Sequence, residues 1–229
     1  MPAPGFYTQV TKGRRLRMSL NTVYILMRIK GKQENKMERE TDKVTVLKLA
    51  GIAAESIVDG PGIRFTVFCQ GCPHHCEGCH NPQTHPFEDG TPVRPERLLQ
   101  EIDKDPILKG VTFSGGEPLC QAPAFLELAK GVKERGLDIV VFTGYKLEDL
   151  LGYINDNSQI GVPGGETAKL AMLDADAVRE LLELTDILID GPFLLEERDL
   201  TLQFRGSRNQ RVIDMNKTRE SGEIILYGN

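Results

Sequence analysis

The sequence predicts an α/β protein built as an open or partial β/α barrel around a mostly parallel sheet. Three observations carry this. Short β-branched and aromatic runs alternate with stretches of helical period. Glycine-rich turns close several of those runs. There are too few such units for a full eight-stranded barrel.

In order, "VTVLKLAGI" (44–52) is a strand. "DGPGIRFTVFC" (59–69) is a glycine-rich turn feeding a strand. "PERLLQEIDK" (95–104) puts proline at a helix start and spaces its leucines for one face. "KGVTFSGGEP" (109–118) is a strand ending in a glycine turn. "APAFLELAKGVKERG" (122–136) is a helix stopped by Gly136. "LDIVVFTGY" (137–145) is a buried strand, and 174–185 is a helix capped by Asp174. "DILIDGPF" is a strand and turn, and "GEIILYG" (222–228) is a last strand. Residues 151–170, rich in Gly, Pro, Asn and Asp, break the rhythm and read as a surface insertion.

The 229 residues, 40% hydrophobic, suit one domain over 45–229 preceded by an extension. Residues 1–44 hold ten Lys/Arg against four Asp/Glu. They carry +6 and the remainder −11. This basic segment reads as a poorly ordered extension or a start-site artefact. A signal peptide is disfavoured: no small-x-small cleavage site follows the apolar run at 19–27, and export would oxidise the thiols. No apolar run is long enough to span a membrane. The net charge of −5 argues against general nucleic-acid binding.

Four of the five cysteines lie in "CQGCPHHCEGCHNP" (69–82). A secreted disulfide framework would spread its cysteines, so a reducing cytoplasm fits better. Zinc sites usually split their cysteines into two distant pairs. One tight loop suits the wider iron–sulfur cube. Cys72, Cys76 and Cys79 alone would leave one iron open for substrate, whereas adding Cys69 would close the site. Cys69 continues the strand face of Ile63, Phe65 and Val67, where a thiol packs without a metal. Cys120 reads as packing, and His74 and His75 as solvated loop residues.

The Cys72-x3-Cys76-x2-Cys79 triplet resembles the radical S-adenosylmethionine (SAM) enzymes. The wider "DGPGIRFTVFCQGCPHHCEGCHNPQTH" is similar to their glycyl-radical-enzyme activases, and "SGGEP" (114–118) resembles that superfamily's second motif. The text "DILIDGPFLLEERDLTLQFRGSRNQRVID" resembles the activases of the anaerobic ribonucleoside-triphosphate reductase in particular. The resemblance implies the radical SAM form of the partial barrel. It implies Cys72, Cys76 and Cys79 as ligands of a [4Fe-4S] cluster, and SAM as the second cofactor. It implies that Gly115, Gly116 and Glu117 line the SAM amino group. The superfamily's usual aromatic residue before the last cysteine is Gly78 here, and His80 could supply a flat ring instead. Asp190, at the end of its strand, is a further cofactor-binding candidate. Arg205 beyond it suits a nucleotide or partner contact or a plain salt bridge.

By the same resemblance the reaction is reductive cleavage of SAM followed by hydrogen abstraction from a backbone glycine of the reductase, with flavodoxin or ferredoxin as electron donor. Two alternatives stay open at this point. One is an activase of pyruvate formate-lyase. The other, from a different class, is a closed four-cysteine iron–sulfur or zinc protein without SAM chemistry.

Overall fold

The computed structural model describes residues 45–155 and 170–228. Residues 1–44, and 156–169 of the expected insertion, lie outside the described residues.

Strand β1 (Leu47–Ser56) pairs antiparallel with β2 (Arg64–Cys69) and, near its start, with the short β3 (Thr91–Val93). Helix α1 (Pro95–Ile102) leads to β4 (Gly110–Gly115), and α2 (Ala122–Glu134) leads to β5 (Asp138–Phe142). Helices α3 (Leu147–Asn155) and α4 (Ala175–Leu184) precede β6 (Ile187–Asp190). Strand β7 (Arg211–Asp214) and α5 (Met215–Ser221) follow. The strands form one sheet in the order β3-β1-β2-β4-β5-β6-β7. Strands β2, β4, β5 and β6 are parallel, and β7 returns antiparallel to β6. The protein is thus mixed α/β, with a sheet that is parallel in its middle.

The sequence placed most elements within a few residues. Asp174 caps α4 as read, accepting the Ala177 N–H at 3.0 Å. The differences have local causes. Residues 222–228 contribute only an isolated bridge, Ile213 to Leu226. The last strand is instead "RVID", too short and polar to stand out. Residues 151–155 are the last turn of α3, so the helix runs into the segment read as an insertion.

Strand parity divides the sheet into two faces. Phe65, Val67, Cys69, Val111, Phe113, Ile139, Val141 and Leu188 join Leu98, Phe125, Leu128 and Leu181 of the helices in one apolar core. The opposite parity carries Arg64, Thr66 and Thr112, all fully buried, and a small cluster of Val140, Ile187 and Ile189. Arg64 Nε donates to Thr112 Oγ1 at 2.7 Å, and Nη2 donates to the Val111 carbonyl at 2.9 Å. Its Nη1 lies 2.6 Å from Asp138 Oδ1. Arg64 therefore ties the entry of β2 to β4 and β5.

Candidate metal and cofactor site

At the C-terminal ends of the parallel strands, on the face opposite the main apolar core, lies a cavity of about 380 Å³. Open α/β sheets bind ligands in this position. Phe68 from β2, Ser114 from β4 and Phe142 from β5 form part of its wall. All three have the parity of Arg64 and Thr112.

The cysteine loop leaves β2 and passes the cavity. Its ends are fixed by backbone: Gly71 N–H donates to the Thr84 carbonyl at 2.8 Å, and Cys72 N–H to the His85 carbonyl at 3.0 Å. The Gln70 side chain adds bonds to the carbonyls of Gln83 (3.0 Å) and Pro86 (2.8 Å). Cys72, Cys76 and Cys79 all line the cavity. Cys69 is fully buried in the core beside Phe65 and Val67, and Cys120 packs against the same core. Neither of these two lines the cavity.

Burial, and then the charge of Glu117, push the Cys72 thiol up to about 12. Burial also raises Cys69 and Cys120. Among the described residues no group of three or more His, Cys, Asp or Glu is arranged to hold a single metal ion. Three thiols spread around one cavity fit a multi-iron cluster better than one ion.

Gly115, Gly116 and Glu117 line the same cavity. Gly116 N–H donates to the Cys69 carbonyl, and Glu117 N–H to the Gly71 carbonyl, each at 2.8 Å. The glycine turn is therefore zipped to the start of the cysteine loop. A Cβ at Gly116 would run into the Gly71 backbone, so the close approach requires glycine. Glu117 is 1% exposed. Its Oε2 accepts from Thr143 Oγ1 at 3.0 Å and from the Gly144 N–H at 2.9 Å, and it lies 2.9 Å from His74 Nε2. Its Oε1 accepts from the Leu119 N–H at 3.1 Å.

His74 corrects the sequence reading. Its side chain is 3% exposed, turned inward onto Glu117 rather than solvated. Nothing in the local text signals this, because the contact reaches 43 residues along the chain. His75 is exposed, as read.

His80 lines the cavity, its ring 5.5 Å from that of Phe193 and tilted by 45°. Gly78 is exposed and does not line the cavity. Its φ is +72°, and a Cβ there would stand 2.8 Å from Leu195 Cδ1, so an aromatic residue at this position would be strained. Asp190 does not line the cavity either. It shares the parity of Leu188, is buried, and its carboxylate accepts from the Leu147 N–H at 2.9 Å and pairs with Arg211. Arg205 lines the cavity and donates to the Gln210 carbonyl.

The sequence reading missed Asp59, Thr143, Gly144 and Phe193 as lining residues. Strand-end position could have found Thr143 and Gly144, which follow β5 directly.

Residues 58–213 match the family described as a 4Fe-4S single cluster domain. The chain is also 32% identical over 164 residues to the anaerobic ribonucleoside-triphosphate reductase-activating protein of Escherichia coli, across 68% of this chain and 91% of that protein. The chain belongs to this family. The Vibrio cholerae protein of the same name is 34% identical over 165 residues, with 68% and 90% covered. The pyruvate formate-lyase-activating enzyme of Clostridium pasteurianum is 39% identical over 104 residues, which is 43% of this chain and 44% of that protein. A [4Fe-4S] cluster and SAM are the cofactors that go with membership, and the chain is a radical SAM oxidoreductase.

Proposed function

We propose that this protein activates the anaerobic ribonucleoside-triphosphate reductase by generating a glycyl radical on it. The observation that carries the reading is the sorting of the cysteines. Cys72, Cys76 and Cys79 share one cavity with Gly115, Gly116 and Glu117, while Cys69 and Cys120 pack away from it. We take the sheet to curve as the partial barrel of radical SAM enzymes, the cavity lying inside the curve.

When bound, the reduced cluster and SAM supply a one-electron cleavage of the carbon–sulfur bond, giving methionine and, after hydrogen transfer from the partner's glycine, 5′-deoxyadenosine. The chain's own residues do the rest. Cys72, Cys76 and Cys79 act as thiolates, and iron binding offsets the cost of deprotonating the buried Cys72. The Gly115–Gly116 turn lets backbone approach the methionine end. Glu117 supplies a carboxylate for its ammonium. His80 and Phe193 supply flat rings for adenine. Phe68, Phe142 and Phe204 keep the wall dry.

Ile57, Val58 and Leu200 are 75%, 70% and 77% exposed. Val58 lines the cavity, and Leu200 sits two residues from Leu202, which does as well. Exposed apolar side chains there suit a polypeptide partner. Flavodoxin or ferredoxin is proposed as the electron donor, and the cytoplasm as the compartment. All five cysteines are free, and no helix among the described residues is long and apolar enough to cross a membrane.

The test is anaerobic incubation with SAM, a reductant and each partner in turn, read by electron paramagnetic resonance. A glycyl radical on the reductase is the expected result. A radical on pyruvate formate-lyase alone would reassign the partner, and no 5′-deoxyadenosine at all would sink the radical reading.

A further inference from the structure

We propose that His74 is a positioning residue for Glu117. Through Oε2 it fixes the orientation of the carboxylate that lines the cavity and that the proposed function gives to the ammonium group of SAM. The inference rests on the function proposed above and deepens it.

The ring of His74 has a tight seat. A Cβ built on Gly144 would stand 2.5 Å from His74 Cδ2, so the absence of a side chain at 144 makes room for the imidazole. Tyr145 meets the ring edge-on, centroids 4.5 Å apart at 71°. Nε2 then lies 2.9 Å from Glu117 Oε2, with both side chains nearly inaccessible.

A carboxylate oxygen offers about two lone-pair sites. Oε2 faces three donors: the His74 ring, the Thr143 hydroxyl and the Gly144 N–H. It is fully used. Oε1 accepts only the Leu119 N–H and keeps capacity. Glu117 lines the cavity and is buried, and a buried carboxylate with spare acceptor capacity favours a cation. Three donors gripping one oxygen also remove the carboxylate's rotational freedom, so the acid keeps one orientation at the cavity wall.

His74 lies between Cys72 and Cys76. The same ring therefore joins the cysteine loop to the acid that receives the ammonium. Cluster and methionine end are placed relative to each other by one side-chain contact, in addition to the backbone bonds from Gly116 and Glu117.

The experiment compares cluster-loaded wild type with His74→Ala, His74→Gln and Thr143→Val under anaerobic conditions. Iron per chain, melting temperature and SAM binding are measured, the last as the SAM-dependent change in the resonance spectrum of the reduced cluster. His74→Ala is expected to keep about four irons per chain and to weaken SAM binding about tenfold, roughly one lost charge-assisted hydrogen bond. His74→Gln, whose amide can donate to Oε2, should recover most of that loss. Thr143→Val removes a second donor to the same oxygen without touching the cysteine loop, and should weaken binding severalfold with the iron count unchanged. SAM binding equal to wild type in both His74→Ala and Thr143→Val would overturn the proposal. So would iron loss in His74→Ala alongside unaltered SAM binding in Thr143→Val. A wild type with full iron but no spectral response to SAM would instead overturn the SAM reading itself.

Discussion

The two faces of the central sheet solve burial by opposite means. The helix-packed face is sealed by Phe113, Phe125, Leu128 and their neighbours, with Cys69 among them. The other face buries Arg64, Thr66 and Thr112 and satisfies them with one another and with Asp59 and Asp138. Apolar burial needs only shape and area. Buried polar groups need named partners at fixed distances. The polar face therefore holds its geometry precisely where the cavity needs positioned groups, while the apolar face supplies the stability. Substitutions on the two faces should fail in different ways.

The largest contrast is between thiols three residues apart. Cys72→Ser, Cys76→Ser and Cys79→Ser should each lose the intact cluster, or its SAM cleavage, as read by iron content and 5′-deoxyadenosine. Cys69→Ser should keep about four irons and still cleave SAM. Cluster loss from Cys69→Ser equal to the other three would mean a closed four-thiolate site and would erase the distinction between the faces.

Phe113→Ala next tests the apolar side. It empties a fully buried ring position beside Phe125, 4.6 Å away. A loss of about 3–5 kcal/mol in denaturant unfolding is expected. At temperatures where the variant is folded, SAM affinity should be near that of wild type.

Arg64→Met tests the polar side. It leaves Thr112, the Val111 carbonyl and the Asp138 carboxylate short of a partner. Removing one member of a buried pair costs about 3–5 kcal/mol. The lower end is expected, because the Asp138 side chain is 27% exposed and water can replace part of the loss. If Arg64→Met were as stable as wild type, the polar face would not depend on its partners.

Cys69→Ser should also carry a stability cost, about 1–2 kcal/mol, from a hydroxyl in an apolar seat. The smallest effect lies at the surface. Hydrogen bonds from Arg211 hold Glu148 down at about 2, against an ordinary 4.5. A depressed carboxylate stabilises fully above its unfolded value and loses that contribution as pH falls through its folded value. Glu148→Gln should thus cost less than about 1 kcal/mol at neutral pH, since the side chain is half exposed. The difference from wild type should shrink below pH 4.5 and vanish near pH 2.

The sequence by itself determined the element order of the parallel core and the packing of Cys69 within it, and it singled out Cys72, Cys76 and Cys79, which share the cavity. These follow from local rules: period, cap, glycine turn and strand parity act over a few residues. Parity could also have placed Asp190, which shares the face of Leu188 and pairs with Arg211 rather than facing the cavity. Only the tertiary structure decided where His74 points, that β7 rather than residues 222–228 forms the last strand, and that Thr143, Gly144 and Phe193 line the same cavity as Cys72, Cys76 and Cys79. Each of these depends on contacts between segments far apart in the chain. A polar side chain on a loop reads as solvated until another segment is folded against it, because burial is a property of the neighbours it acquires and not of its own residue type.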